Sequence, residues 1–216
     1  MSACILTVAQ QKGGAGKSTL VAQLAVAYAH HGHRVGLIDV DPQASLTAWF
    51  EMRQKTLGQE AGGISASQVA GWKLATEIDR MKKNHDLILI DSPPHAETDA
   101  RVAVRAAALV LVPVQPSPMD LWATKPTLDL VKKEKSRALL VVNRIQPQGR
   151  LPRAILAKLV EAELPLAQIM LGNRVAFAAS MMEGLGVLEL SPRSPSAIAE
   201  IEALSREIAK ILGLKF

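Results

Sequence analysis

The chain is short of cysteine, of aromatic residues and of long apolar runs, and each shortage removes a class of protein. One cysteine, Cys4, in 216 residues cannot build a disulfide framework, and its place in an apolar run suits core packing. Aromatic residues make up 3% of the chain. Its apolar content therefore rests on Ala, Val, Leu and Ile, as in a parallel sheet lying under helices. No apolar stretch approaches the roughly 20 residues of a membrane-spanning helix; residues 106–114 come nearest and are strand-sized. Met1 to Gln11 lacks a basic segment followed by a long apolar stretch, so no secretory leader is expected, and the expected compartment is the cytoplasm. Repeats, low-complexity tracts and a long linker are also missing. A single domain over 1–216 is expected, long enough to bury a substantial core. The formal charge of +5 is modest and, alone, weak evidence for a nucleic-acid partner.

What is present is concentrated in one octet, Lys12-Gly13-Gly14-Ala15-Gly16-Lys17-Ser18-Thr19. It follows the apolar run Cys4–Ala9 and precedes a helical pattern, Leu20, Val21, Leu24, Ala25 and Tyr28. A glycine-rich turn between strand and helix lets backbone N–H groups curl around phosphate oxygens, and the helix N-terminus adds partial positive charge. Lys17 would reach the β- and γ-phosphates, and the Ser18 hydroxyl would ligate Mg²⁺. Gly13, Gly14, Ala15, Gly16 and Thr19 complete the cradle. A flexible lysine-containing linker is the bland alternative.

Strand-like runs alternate with helical patterns along the chain. The runs are 5–9, 35–38, 87–90, 109–114 and 139–142; the helical patterns are near 18–31, 45–57, 71–83, 98–108, 119–135, 151–163 and 196–212. This alternation argues for an α/β fold, a doubly wound, mostly parallel sheet flanked by helices, with ligands beyond the carboxyl ends of its strands. Residues 58–63 are expected to form an exposed loop.

Three further segments sit at strand ends. Asp39-Val40-Asp41-Pro42-Gln43 places two carboxylates beside the phosphate cradle, where Mg²⁺ and an attacking water would account for them. The competing reading is an acidic turn capping the helix 45–57, with Ser45 as a possible N-cap. The run Leu87–Ile90 leads into Asp91-Ser92-Pro93-Pro94, an aspartate placed to approach Mg²⁺. Val141-Val142 leads into Asn143-Arg144, and the Asn143 amide offers the donor and acceptor that a base edge would need; a turn-forming asparagine is the alternative. His30-His31-Gly32-His33 reads as a helix end with Gly32 in the C-terminal cap rather than as a metal site.

Gly-x-x-x-x-Gly-Lys-Ser would require glycine at position 11, where this chain has Gln11, and Lys12 stands as an extra lysine. With Asp39–Gln43, Asp91–Pro94 and the later 172–177 and 184–187, the chain resembles the deviant Walker A family of P-loop ATPases, whose members include ParA and MinD. The resemblance implies ATP and Mg²⁺ as ligands. It implies that Lys12 reaches the phosphates of a second copy, that Asp41 orients the hydrolytic water, and that Asp39 and Asp91 attend the metal. It also implies that Asn143 reads adenine, with 113–118 forming the rest of the base pocket, and that Pro93-Pro94 stiffens a switch loop. His95 departs from the small residue usual after that pair. A role for Lys12 confined to its own subunit remains the alternative.

Within that family, iron proteins need several cysteines, and the tyrosine kinases carry tyrosine-rich tails where this chain has only Tyr28. MinD-like members end in a basic amphipathic helix; here four residues follow the last core-facing pattern. The remaining resemblance is to ParA-like partition and positioning ATPases. It implies a slow ATPase whose ATP-bound homodimer holds nonspecific DNA on the nucleoid, while a ParB-like or cargo-adaptor protein stimulates hydrolysis. Arg150, Arg153 and Arg174 are the candidate DNA contacts. No membrane partner is expected. A MinD-like membrane positioner, a metabolic ligase or metallochaperone on the same scaffold, and a scaffold that holds ATP without turnover are the rival readings.

Overall fold

A computed structural model describes residues 3–94, 97–146 and 150–216, the side chains of 97 and 150–153 excepted. Six strands, β1 (Cys4–Val8), β2 (Val35–Asp39), β3 (Ile64–Gln68), β4 (Leu87–Asp91), β5 (Leu109–Val114) and β6 (Ala138–Val142), form one sheet. Its order is β3-β2-β4-β1-β5-β6, with every neighbouring pair parallel. Side chains alternate between the faces of a strand, and the sequence is sorted to match. Leu6, Leu37, Leu89, Leu111 and Val141 pack on one side. Ile5, Ile38, Ile88 and Ile90 pack on the other, continued by Val110, Val112 and Leu140.

Helices cover both faces, which is why the central strands carry no polar alternation. α1 (Lys17–His30), α2 (Ser45–Leu57), α7 (Val175–Met182) and α8 (Pro195–Leu212) lie on the leucine side. α3 (Leu74–Met81), α4 (Glu97–Ala106), α5 (Pro118–Lys133) and α6 (Arg150–Glu161) lie on the other. α1 is the most enclosed: Leu20 to Tyr28 are all buried, and the Tyr28 hydroxyl donates to the Ser205 carbonyl at 2.9 Å.

β1 lies between β4 and β5, so the chain departs to opposite sides of it and opens a crevice beyond its carboxyl end. The register fixes what borders that crevice. Asp91 lies opposite both Val8 and Asp39, so the turn leaving β1 emerges beside two aspartates.

The doubly wound sheet matches the expected fold; several local expectations do not survive. β3 was not among the expected strands because Ile64-Ser65-Ala66-Ser67-Gln68 is an edge strand with only Ile64 fully buried. α7 is likewise additional. The expected helix over 71–83 is a 3₁₀ turn at Gly71–Lys73 followed by α3. In the loop at 58–63, Ala61 is buried and its carbonyl accepts from Arg53 Nε at 2.8 Å. Ser45 does not cap α2: the cap position is Ala44, in the left-handed region at φ 54°, without a side-chain cap.

Candidate nucleotide-binding site

In the turn between β1 and α1, Gln11 N–H and Lys12 N–H donate to Thr127 Oγ1 and Gln10 Oε1, and Gly13 and Gly14, which follow, face open space. Gly14 and Gly16 take φ of +77° and +94°, a backbone shape that L side chains resist. Gly16 is the cap residue of α1 and offers no side chain, so the first N–H groups of the helix stay available to an anion. A Cβ at Gly13 or Gly14 would meet nothing within 4 Å. The carbonyls are held the other way: Gln115 Nε2 donates to Gly14 O and Asn143 Nδ2 to Ala15 O, both at 2.9 Å, and Arg144 Nη1 reaches Gly14 O at 3.5 Å. Bracing the carbonyls from behind leaves the N–H groups pointing into the cradle. Lys17 is buried at its base and makes no ion pair among the described residues.

Opposite Lys17 sits a concentration of negative charge. Asp91 is fully buried; its Oδ2 accepts from Ser18 Oγ at 2.5 Å, while its Oδ1 has no partner among the described residues. Burial pushes the Asp91 carboxyl up to about 7; the Ser18 hydrogen bond pulls down against it, Asp39 pushes up and Lys17 pulls down. The neighbouring Ser92 Oγ is also buried and unpartnered among the described residues. Unsatisfied buried oxygens beside Ser18 are the donor set that a small hard cation takes. Among the described residues no three His, Cys, Asp or Glu side chains form a self-sufficient metal cage.

The two aspartates after β2 divide their work. Asp39 Oδ2 accepts from both the backbone N–H and the hydroxyl of Thr47 at 2.9 Å, and Oδ1 accepts from Asp41 N–H at 3.1 Å. The helix-capping expectation therefore describes Asp39, with Asp39 rather than Ser45 holding the start of α2. Both Asp39 oxygens are thus hydrogen-bonded, while the residue stays beside Asp91 across the β2–β4 pair. Asp41 uses Oδ1 to accept from Gln43 N–H at 3.0 Å, and its other oxygen makes no hydrogen bond among the described residues.

A cavity of about 340 Å³ adjoins the turn, lined by Gly16, Thr19, Leu20, Asn143, 171–175 and Phe177. Its volume is within the range of small-ligand pockets. The expected base-pocket segment 113–118 does not line it: Gln115 braces the turn and Ser117 caps α5. Arg174, a candidate DNA contact, lines this cavity, with Nε and Nη2 both on the Glu200 carboxylate. Arg150 and Arg153 fall in α6 with side chains outside the described residues, as does His95 altogether.

A profile of the CobQ/CobB/MinD/ParA nucleotide-binding domain matches residues 6–187. The chain belongs to this family. Across 212 residues it is 29% identical to the maintenance of carboxysome distribution protein A of Halothiobacillus neapolitanus, covering 94% of this chain and 95% of that protein. Among solved structures, an ATP complex of a McdA variant from Cyanothece superposes with a TM-score of 0.77 at 18% identity, covering 100% of this chain and 98% of that one. The Mg-ADP complex of the septum site-determining protein MinD from Pyrococcus horikoshii gives 0.79 at 22% identity, with 98% of each chain covered. At such identities the two structures show the shared fold, and the family's nucleotide-binding domain is what the profile adds.

Sequence reading missed the bracing side chains Gln115 and Arg144, the buried Ser92 and, beside Lys12, the acid Asp120. Each owes its place to tertiary packing. Asp120 falls in the helical pattern 119–135, which gives no sign of its pairing with Lys12.

Proposed function

We propose that this protein is a ParA-like ATPase that binds Mg-ATP in the turn between β1 and α1 and dimerises around it. Two copies then face each other, each Lys12 reaching its partner's triphosphate while Lys17 holds its own. Ser18 and Asp91 attend the metal, and Asp41, with an oxygen uncommitted, orients the water. The dimer holds nonspecific DNA through basic side chains, with Arg150 and Arg153 as candidates, since phosphate contacts need no base readout. A partner protein stimulates hydrolysis and release, positioning a DNA or protein cargo along the nucleoid in the cytoplasm. The observation that carries this reading is the pairing of a buried Lys17 at the base of the cradle with a second lysine, Lys12, partly exposed at its rim. The full-length likeness to a carboxysome-distribution protein supports a positioning role over small-molecule chemistry.

Binding to random duplex DNA, measured with ATP, ADP or no nucleotide at two salt concentrations, tests it. ATP-dependent, salt-sensitive binding is expected. Binding indifferent to nucleotide, or ATP turnover that responds to a small-molecule substrate and not to DNA, would reject the positioning role.

A further inference from the structure

Lys12 is partly exposed but not unpartnered. Its Nζ pairs with Asp120 Oδ2, which also accepts from the Ser117 hydroxyl. The two partners differ sharply in exposure, the Lys12 side chain being 36% exposed and that of Asp120 2%. Asp120 sits in the first turn of α5, three residues after the Ser117 cap, where the helix N-terminus favours negative charge. A capping-box acid would ordinarily turn back to the cap's backbone N–H, but Ser117 N–H is donated to Gln115 O. The carboxylate points at Lys12 instead, and its Oδ1 has no partner among the described residues.

The ground beneath this pair is rigid. Gln10 Nε2 donates to the Pro113 carbonyl at 3.2 Å, Thr127 Oγ1 donates to Gln10 Oε1 at 3.3 Å, and Thr124 Oγ1 donates to the Asp120 carbonyl at 2.8 Å. The residues that aim Asp120 are thus tied to the strand that launches the turn. Only the Lys12 arm of the pair is free to leave.

We infer that Asp120 is a positioning residue that retains Lys12 within its own subunit until a second copy loaded with triphosphate competes for it. This rests on the cross-subunit role proposed for Lys12. One buried carboxylate holds the ammonium in the ligand-free protein; the several negative charges of a facing triphosphate outbid it. The ion pair thereby makes assembly conditional on nucleotide. It also keeps Lys12 off its own subunit's phosphates, where it would duplicate Lys17. Releasing each Lys12 costs a partly exposed ion pair, roughly a threefold penalty. Two are released per dimer, so the dissociation constant carries about a tenfold penalty.

The test is the dimer dissociation constant of the full chain with Mg²⁺ and a non-hydrolysable ATP analogue, by sedimentation velocity, for wild type, Asp120→Asn and Lys12→Ala. Asp120→Asn is expected to lower it about tenfold, the opposite sign from any damage to folding or to the interface. An unchanged or raised constant, with Lys12→Ala still monomeric, overturns the retention and leaves the cross-subunit role standing. Dimerisation of Lys12→Ala like wild type removes the cross-subunit role and the retention with it. A second measurement needs no variant: amine acylation of ligand-free wild-type protein, read by mass spectrometry, should modify Lys12 at least about threefold more slowly than the exposed Lys55. Equal rates would overturn the proposal.

Discussion

Replacing Asp91 with asparagine removes a charge that the ligand-free fold holds at a cost. The Asp91 carboxyl rises from an ordinary 3.8 to about 7, burial being the largest cause. A carboxyl whose folded value is raised binds more protons in the native state than in the unfolded chain between those two values. Stability therefore falls as pH climbs from about 4 to about 7, then levels off. Three units correspond to about 4 kcal/mol at the plateau. Asparagine still accepts from Ser18 but leaves an amide N–H₂ facing the orphaned side, which gives back about 1–3 kcal/mol. The net gain expected above pH 7 is about 1–3 kcal/mol, a rise in Tm of several degrees for a chain of this length. Thermal unfolding of both proteins in EDTA, without nucleotide, from pH 5 to 9 reads it. The difference between them should widen up to pH 7 and then stay constant, and Mg-ATP should stabilise wild type far more than the variant. A variant less stable at pH 8, or a difference that ignores pH, would refute the placing of an uncompensated buried charge at Asp91.

Gly16→Ala would put a Cβ 2.5 Å from Asn143 Nδ2 on a backbone at φ +94°. Strain and loss of the Asn143 brace should cost about 1–3 kcal/mol and weaken nucleotide binding; denaturant midpoints and titration with a fluorescent ATP analogue would show both, and an unaffected variant would contradict the brace. Arg53→Ala strips the partner from Glu189, whose two oxygens it meets at 2.8 and 2.6 Å, and from the Ala61 and Gly184 carbonyls. A half-abandoned buried pair costs about 3–5 kcal/mol, so urea unfolding should shift strongly while the site far along α2 keeps its affinity for nucleotide.

The parallel sheet and the phosphate cradle were legible because both follow from local pattern. Strands such as Leu87–Asp91 are apolar on both faces, and Gly14 and Gly16 occupy positions where only the backbone can serve. β3 was not legible because Ser65, Ser67 and Gln68 carry no core signal, whereas the other edge strand, β6, is apolar throughout. The partners of Asp39 and Arg174 were not legible for a related reason. A charged residue in a sequence shows its chemistry but not its partner, and Thr47 and Glu200 had already claimed those two. Asp120 lies at the limit of such reading, since its tie to Lys12 joins residues 108 positions apart.

Sedimentation velocity of the wild-type chain with Mg-ATP and with Mg-ADP tests the nucleotide-bridged pair most directly. With ATP the expected particle has twice the 23.2 kDa mass of one chain, and with ADP it has the mass of one. A single-chain particle at saturating Mg-ATP, or a dimer that forms equally well with ADP, would contradict it.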